Sequence, residues 1–268
     1  MFKVKYSKIQ RRQVNSMSST VEQFYTTDEY ARRNPSLHEE DSPWKIKRIM
    51  PLVALFSKLN NSESVRLLDV GGGAGIILKV VGERLKQDYG VKVSKYALDL
   101  SPLMLTRQKQ NNPDIQATYN VDLCKNPLDN KCADLVLMID VVEHVPDSDK
   151  ALNEVGRIGK FAVFHIPLEK NFIEFVWNVM SNGALRRKRI ASVGHIHIYT
   201  YSSALKQIKK RCGDIVNYYL TDPKPWPFGF KNRIRDSIVA RTFKLSPRIS
   251  SLLFGASTLM VLVKCRNT

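Results

Sequence analysis

Residues 65–75 read Val-Arg-Leu-Leu-Asp-Val-Gly-Gly-Gly-Ala-Gly and hold the densest set of groups able to do chemistry. Asp69 stands just ahead of Gly71, and Gly73 and Gly75 follow at alternate positions. Glycines in such a bend admit positive φ and let a ligand approach the backbone. The N–H groups that open the following helix then face the ligand's polar atoms. A dinucleotide-binding bend wants glycine at its first, third and sixth positions. Counted from Gly71, the sixth residue is Ile76, and glycine falls at the fifth, Gly75. A carboxylate in front of the bend repels a pyrophosphate and attracts a cation. The spacing therefore predicts a pocket for a positively charged ligand.

More acids and histidines follow. Asp99, with Leu100, closes the segment 91–100, where an acid at the end of a second strand bonds ribose hydroxyls. Asp122 and Leu123 close the segment 115–123, and Asp140 follows the apolar run Ala133 to Ile139. Removing a proton from a hydroxyl takes a histidine or carboxylate within hydrogen-bond reach. His144, His165, His195 and His197 are available, and one of His144 or His195 is the expected base. His195 and His197 point to one face if residues 194–200 are extended.

The glycine bend with its leading acid resembles motif I of the class I S-adenosylmethionine (SAM)-dependent methyltransferases. Asp140-Val-Val-Glu-His-Val-Pro146 resembles the segment after the fourth strand in ubiquinone/menaquinone and related small-molecule methyltransferases. SAM carries an ammonium and a sulfonium, which suits the carboxylate of Asp69. The resemblance implies cofactor contacts from Asp69, Gly71, Gly73 and Gly75, then from Asp99 and Leu100, and from Asp140. It implies that Asp122 takes the exocyclic amine of adenine while Leu123 packs on the ring. It also implies methyl transfer to a small-molecule acceptor, expected here to be a hydroxyl of a sugar, quinone or lipid-linked intermediate. Asp140, Glu143 and His144 resemble the divalent-metal site of some ubiquinone-pathway O-methyltransferases and small-RNA 2′-O-methyltransferases. Asp140 is shorter than the glutamate of such sites, and metal-free relatives also carry Glu-His there, so no metal is expected. Two competing readings are an RNA methyltransferase and a non-catalytic peripheral membrane or assembly factor that keeps the fold.

Strand ends from distant parts of the chain must converge to assemble these residues. The expected scaffold is an α/β, Rossmann-like sheet of order 3-2-1-4-5-7-6, its last strand antiparallel, with helices on both faces. Residues 1–20 read as a basic arm, 21–61 as a helical lid or extension, and 62–268 as the methyltransferase domain. Tyr25, Tyr30, Trp44 and Lys45 are the lid candidates; the same aromatic residues would equally serve as anchors that pin an extension to the core. A helical insertion is expected at about 169–194. Its aromatic stretch from Phe172 to Met180, followed by Arg186-Arg-Lys-Arg189, suits either a pocket cover or a membrane interface.

The 268 residues are enough for one full α/β core with additions. The formal charge of +17 calls for something anionic: an anionic acceptor, an anionic membrane surface, or nucleic acid. Nucleic acid has less support, because no RNA-binding module or aromatic RNA-binding motif is visible. The four cysteines have neither metal-site nor disulfide-framework spacing, which suits a reducing compartment. No signal peptide is evident and no apolar run is long enough to span a bilayer. A cytoplasmic protein, with peripheral membrane contact as an option, is expected; oligomeric state is not legible.

Overall fold

The structure, a computed structural model, describes residues 39–184, 194–222, 230–255 and 257–266, with the backbone alone for 230–235. Helix α1 (Ser42–Leu59) precedes strand β1 (Ser64–Val70), α2 (Ile76–Tyr89), β2 (Lys92–Asp99), α3 (Pro102–Asn111) and β3 (Ile115–Asn120). Then come β4 (Ala133–Ile139), α4 (Ser148–Ile158), β5 (Gly159–Pro167), α5 (Phe172–Met180), α6 (Tyr201–Arg211) and β6 (Gly213–Thr221). Helices α7 (Phe230–Leu245) and α8 (Pro247–Phe254) and strand β7 (Thr258–Cys265) follow.

The seven strands lie in the order β3-β2-β1-β4-β5-β7-β6. Strands β3, β2, β1, β4 and β5 are parallel to one another, and β7 runs antiparallel to both β5 and β6. Central β4 is buried at every position, as an unbroken apolar run between two helical layers must be. One layer packs Ile49, Leu52, Val53 and Phe56 of α1 and Leu78, Val81 and Leu85 of α2 on the sheet. The other packs Ala151, Leu152 and Val155 of α4 and Ala204 and Ile208 of α6. The order of neighbours reverses between β1 and β4, and a crevice opens there at the carboxyl ends of the strands.

Local chemistry sets the boundaries. The Ser101 hydroxyl accepts from the N–H of Met104, and Pro102 sits in the first turn of α3. Strand β3 stops at Asn120 rather than reaching Leu123, because Asp122 turns the chain by accepting from the Cys124 N–H at 2.8 Å. The apolar run Leu252 to Val263 is divided by Gly255 at φ 76°, so it ends α8 and supplies most of β7. Residues 194–200 form no strand. Tyr25, Tyr30 and Arg186 to Arg189 lie outside the described residues.

Candidate functional site

Strand β1 delivers Asp69 into the protein interior, where its side chain is fully buried and neither carboxylate oxygen has a hydrogen-bond partner. Gly71, Gly73 and Gly75 follow with φ of 64°, 55° and 76°. A Cβ at Gly72 would lie 1.9 Å from Asp69 Oδ2, and one at Gly71 would lie 2.8 Å from a Val141 methyl carbon. With those contacts and the positive φ angles, the bend is a cradle that favours glycine. Gly72 escaped the spacing argument, although the glycine triplet carried the signal. Gly75 instead opens α2, and its carbonyl accepts from Asn112, the residue that caps the end of α3, at 3.0 Å.

Beside the cradle lies a cavity of about 370 Å³ whose wall includes Gly71, Gly73, Asp99, Leu100, Asp122 and Leu123. Asp140 and His144 close it from the β4 side; Met104, Lys125 and Lys150 also line it. The last three were not legible in the sequence, because only the fold turns them inward. Asp99 accepts from the Ser101 N–H at 2.8 Å, yet burial outweighs that bond and pushes its carboxyl up to about 6. Asp69 is pushed up to about 7, first by burial and then by the charge of Asp99. A cation set between the two would reverse both shifts. The buried orphan carboxylate and the glycine cradle therefore fit SAM.

Asp140 lines the cavity and is engaged by two cationic partners. Its backbone has φ 55°, a conformation in which acidic and amide residues are enriched. One oxygen meets His165 Nδ1 at 2.5 Å and the other Lys45 Nζ at 2.8 Å. Burial alone would raise the Asp140 carboxyl, but the charges of His165 and Lys45 outweigh it and hold the group below the usual carboxylate range. Trp44 packs edge-on against His165 with ring centroids 5.9 Å apart, and Arg48 stacks 3.9 Å above Trp44. The first turn of α1 is thus tied to the ends of β4 and β5. Replacing Lys45 with methionine keeps the aliphatic stem and strands the acid. It is expected to destabilise the fold by about 2 kcal/mol, less than for a fully buried pair because both side chains retain some solvent contact. In urea unfolding, adding Asp140→Asn to that variant should cost less than the two single losses combined.

Glu143, His144 and His195 converge next to this cluster, each with a ligand-type atom within 4.8 Å of the others. That trio shares Glu143 and His144 with the set raised by the sequence resemblance and has His195 where that set has Asp140. Glu143 is 1% exposed and neither carboxylate oxygen has a hydrogen-bond partner. Burial first, and the charge of Asp140 second, raise its carboxyl well above the usual carboxylate range. His144 Nδ1 lies 3.1 Å from the Gly194 carbonyl, which can only accept. The ring proton therefore sits on Nδ1 and the lone pair on Nε2. Burial, then the neighbouring His195, pushes His144 down to about 4, which leaves the imidazole neutral. The two rings are 4.7 Å apart at 71°.

His195 and His197 meet different partners. His195 Nδ1 comes within 2.9 Å of Glu169 Oε1, near enough to pair electrostatically but off the line of a hydrogen bond. His197 Nε2 lies 3.0 Å from the Val145 carbonyl, and the N–H groups of Ile196 and His197 donate to the Glu143 carbonyl. His197 is thereby a strut that holds residues 194–200 against the turn after β4. Cys124, in the cavity wall, has its thiol pushed up to about 12, mainly by burial, so it is no nucleophile at neutral pH.

Sheet order, glycine cradle and cavity together define a class I SAM-dependent methyltransferase fold. Residues 68–166 match the family model described as a methyltransferase domain, and the cofactor that such a domain implies is SAM. No curated protein matches the chain by sequence. Magnesium protoporphyrin IX methyltransferase from Synechocystis PCC 6803, with bound S-adenosylhomocysteine, is similar in structure with a TM-score of 0.58 and 11% identity. The likeness covers 92% of this chain and 99% of that one. Geranyl diphosphate C-methyltransferase from Streptomyces coelicolor A3(2) has a TM-score of 0.55 at 12% identity, over 90% of this chain and 85% of that one. The cyclase SpnF has a TM-score of 0.51 at 12% identity, over 81% and 82%. At such identities these likenesses establish the fold alone.

Proposed function

We propose that the protein transfers the methyl group of SAM to a hydroxyl of a small-molecule acceptor: a sugar, a quinone or a lipid-linked intermediate. The observation that carries this reading is a neutral imidazole, His144, in the wall of the same cavity as the glycine cradle and Asp99. When bound, SAM supplies an activated methyl group. Asp69 would compensate the cofactor's positive charge and Asp99 would bond its ribose. Leu100, Leu123 and Met104 would hold the nucleoside, with Asp122 oriented toward its base. His144 would receive the acceptor's proton on Nε2, the atom that its Nδ1–carbonyl bond leaves with the lone pair. Glu169, on the far side of His195, would favour the charge that His144 then carries, against the opposing effect of His195. Trp44 and Lys45 would act by closing the β4–β5 side of the site. Orientation and exclusion of water are the remaining tasks of the protein.

The likeness to a cyclase supports testing turnover and not binding alone, since one fold serves different reactions. Calorimetry with SAM and S-adenosylhomocysteine comes first; heat of binding with both is expected. Incubation of the protein with methyl-labelled SAM and a fractionated cell extract should then place label in the small-molecule or lipid fraction. Label in RNA would replace this reading with an RNA methyltransferase. Binding without any labelled product would favour a non-catalytic role.

A further inference from the structure

Helix α5 is built as though for an interior, yet none of its residues is buried. Phe175, Trp177 and Met180 are 66%, 56% and 73% exposed, and Phe172 and Val179 project to a similar degree. Helix α8 packs beside α5 and adds exposed Ile249, Leu252 and Leu253. Helix α7 packs on α8 and adds Ile238 and Leu245, the latter 87% exposed. So many large apolar side chains in one neighbourhood mark an interaction surface.

Charge says what covers it. In sequence, residues 230–254 carry Lys231, Arg233, Arg235, Arg241, Lys244 and Arg248 against Asp236 alone. Arg241, Lys244 and Arg248 are exposed on the same helices as the apolar residues. The core of a protein–protein interface is depleted of lysine and of unmatched charge. Aromatic and aliphatic side chains flanked by cations of one sign are met at once by the acyl boundary and the headgroups of an anionic bilayer. Among the described residues, no helix is long and apolar enough to cross a membrane.

We propose that α5, α7 and α8 form a docking face for an anionic lipid bilayer, and that the acceptor is an amphiphile taken from it. The second half rests on the methyl-transfer reading above. Helix α5 begins just beyond β5, and Glu169, in the short link between them, reaches His195 at the site. Docking through α5 therefore brings the acceptor side of the cavity to the lipid surface.

The test is co-sedimentation of the full chain with vesicles of phosphatidylcholine alone or mixed with phosphatidylglycerol. Binding is expected to the mixed vesicles and to weaken with salt. The double variant Phe175→Ser, Trp177→Ser should lower binding at least about tenfold. Charge reversal at Arg241 and Lys244 should lower it at least about fivefold per site. These side chains project into solvent, so the variants should keep the parent unfolding temperature and SAM affinity. Absence of vesicle binding by a protein that still binds SAM overturns this inference and leaves the methyl-transfer reading intact. Vesicle binding without SAM binding overturns the methyl-transfer reading and with it the amphiphilic acceptor, and leaves the docking face standing. Self-association without lipid, abolished by the Phe175 and Trp177 changes, would assign the face to a second copy and overturn the proposal.

Discussion

Replacing Asp69 with asparagine is expected to stabilise the ligand-free protein while lowering SAM affinity about 10- to 100-fold, the range for a hydrogen bond to a charged group. The carboxyl is fully buried, lacks hydrogen-bond partners and is pushed up to about 7. Relative to an ordinary aspartate near 3.8, about three pKa units correspond to about 4 kcal/mol of native-state cost once the group ionises. Because the folded-state pKa is raised, the native chain retains a proton that the unfolded chain releases between about 4 and 7. The contribution is fully favourable at low pH and is lost as pH rises to about 7. A buried asparagine amide still lacks partners, so about 2 kcal/mol is recovered at pH 8, or about 5 °C in Tm. The cation of the ligand works in the opposite direction, since it favours the ionised carboxylates of Asp69 and Asp99. SAM affinity should therefore fall as pH drops from about 8 to about 5.5, with proton uptake reversed on binding. Calorimetry in two buffers of different ionisation enthalpy measures the protons released. A Tm that falls in Asp69→Asn, together with unchanged SAM affinity, would make Asp69 a structural residue.

The buried carboxylate was legible because it is encoded over a few bonds. Asp69, Gly71 and Gly73 are neighbours in sequence, and their φ angles and contacts follow from residue type. Central β4 was equally plain, since an unbroken apolar run of that length has to be buried on both faces. Periodicity failed where it carries no direction. Leu252 to Val263 reads as one apolar run, but Gly255 divides it between the end of α8 and a strand. It also failed where a side chain competes with the backbone: Asp122 ends the segment after β3 by capping a turn of its own. Contacts across long stretches of sequence were beyond reach. Lys45, Asp140 and His165 meet only because α1 packs over the ends of β4 and β5. Spacing offered Asp140 as a partner of Glu143 and His144; the fold gives that place to His195 and brings Glu169 behind it.

His144 is where the sequence expectation and the geometry meet most closely, and its loss should have the largest effect on turnover. Substitution by alanine is expected to lower kcat by about 10²-fold, the lower end of the range for a general base. The lower end applies because an imidazole pushed down to about 4 is a weak proton acceptor, although it is unprotonated throughout the neutral range. For the same reason His144 cannot set the acidic limb of the pH profile. That limb belongs to the carboxylates pushed up to about 6 and about 7, and kcat/KM should fall below that range. The variant should lose rate at every pH yet keep the limb, because Asp69 and Asp99 are untouched. Its SAM affinity should match the parent, which separates a lost proton acceptor from a collapsed pocket. His195→Ala should be milder, since that ring acts through His144, and His144→Ala with His195→Ala should be little slower than His144→Ala alone. A parent acidic limb near 4 that disappears with His144 would reverse the assignment of the titrating groups. Unchanged kcat in His144→Ala would remove the histidine from the chemistry.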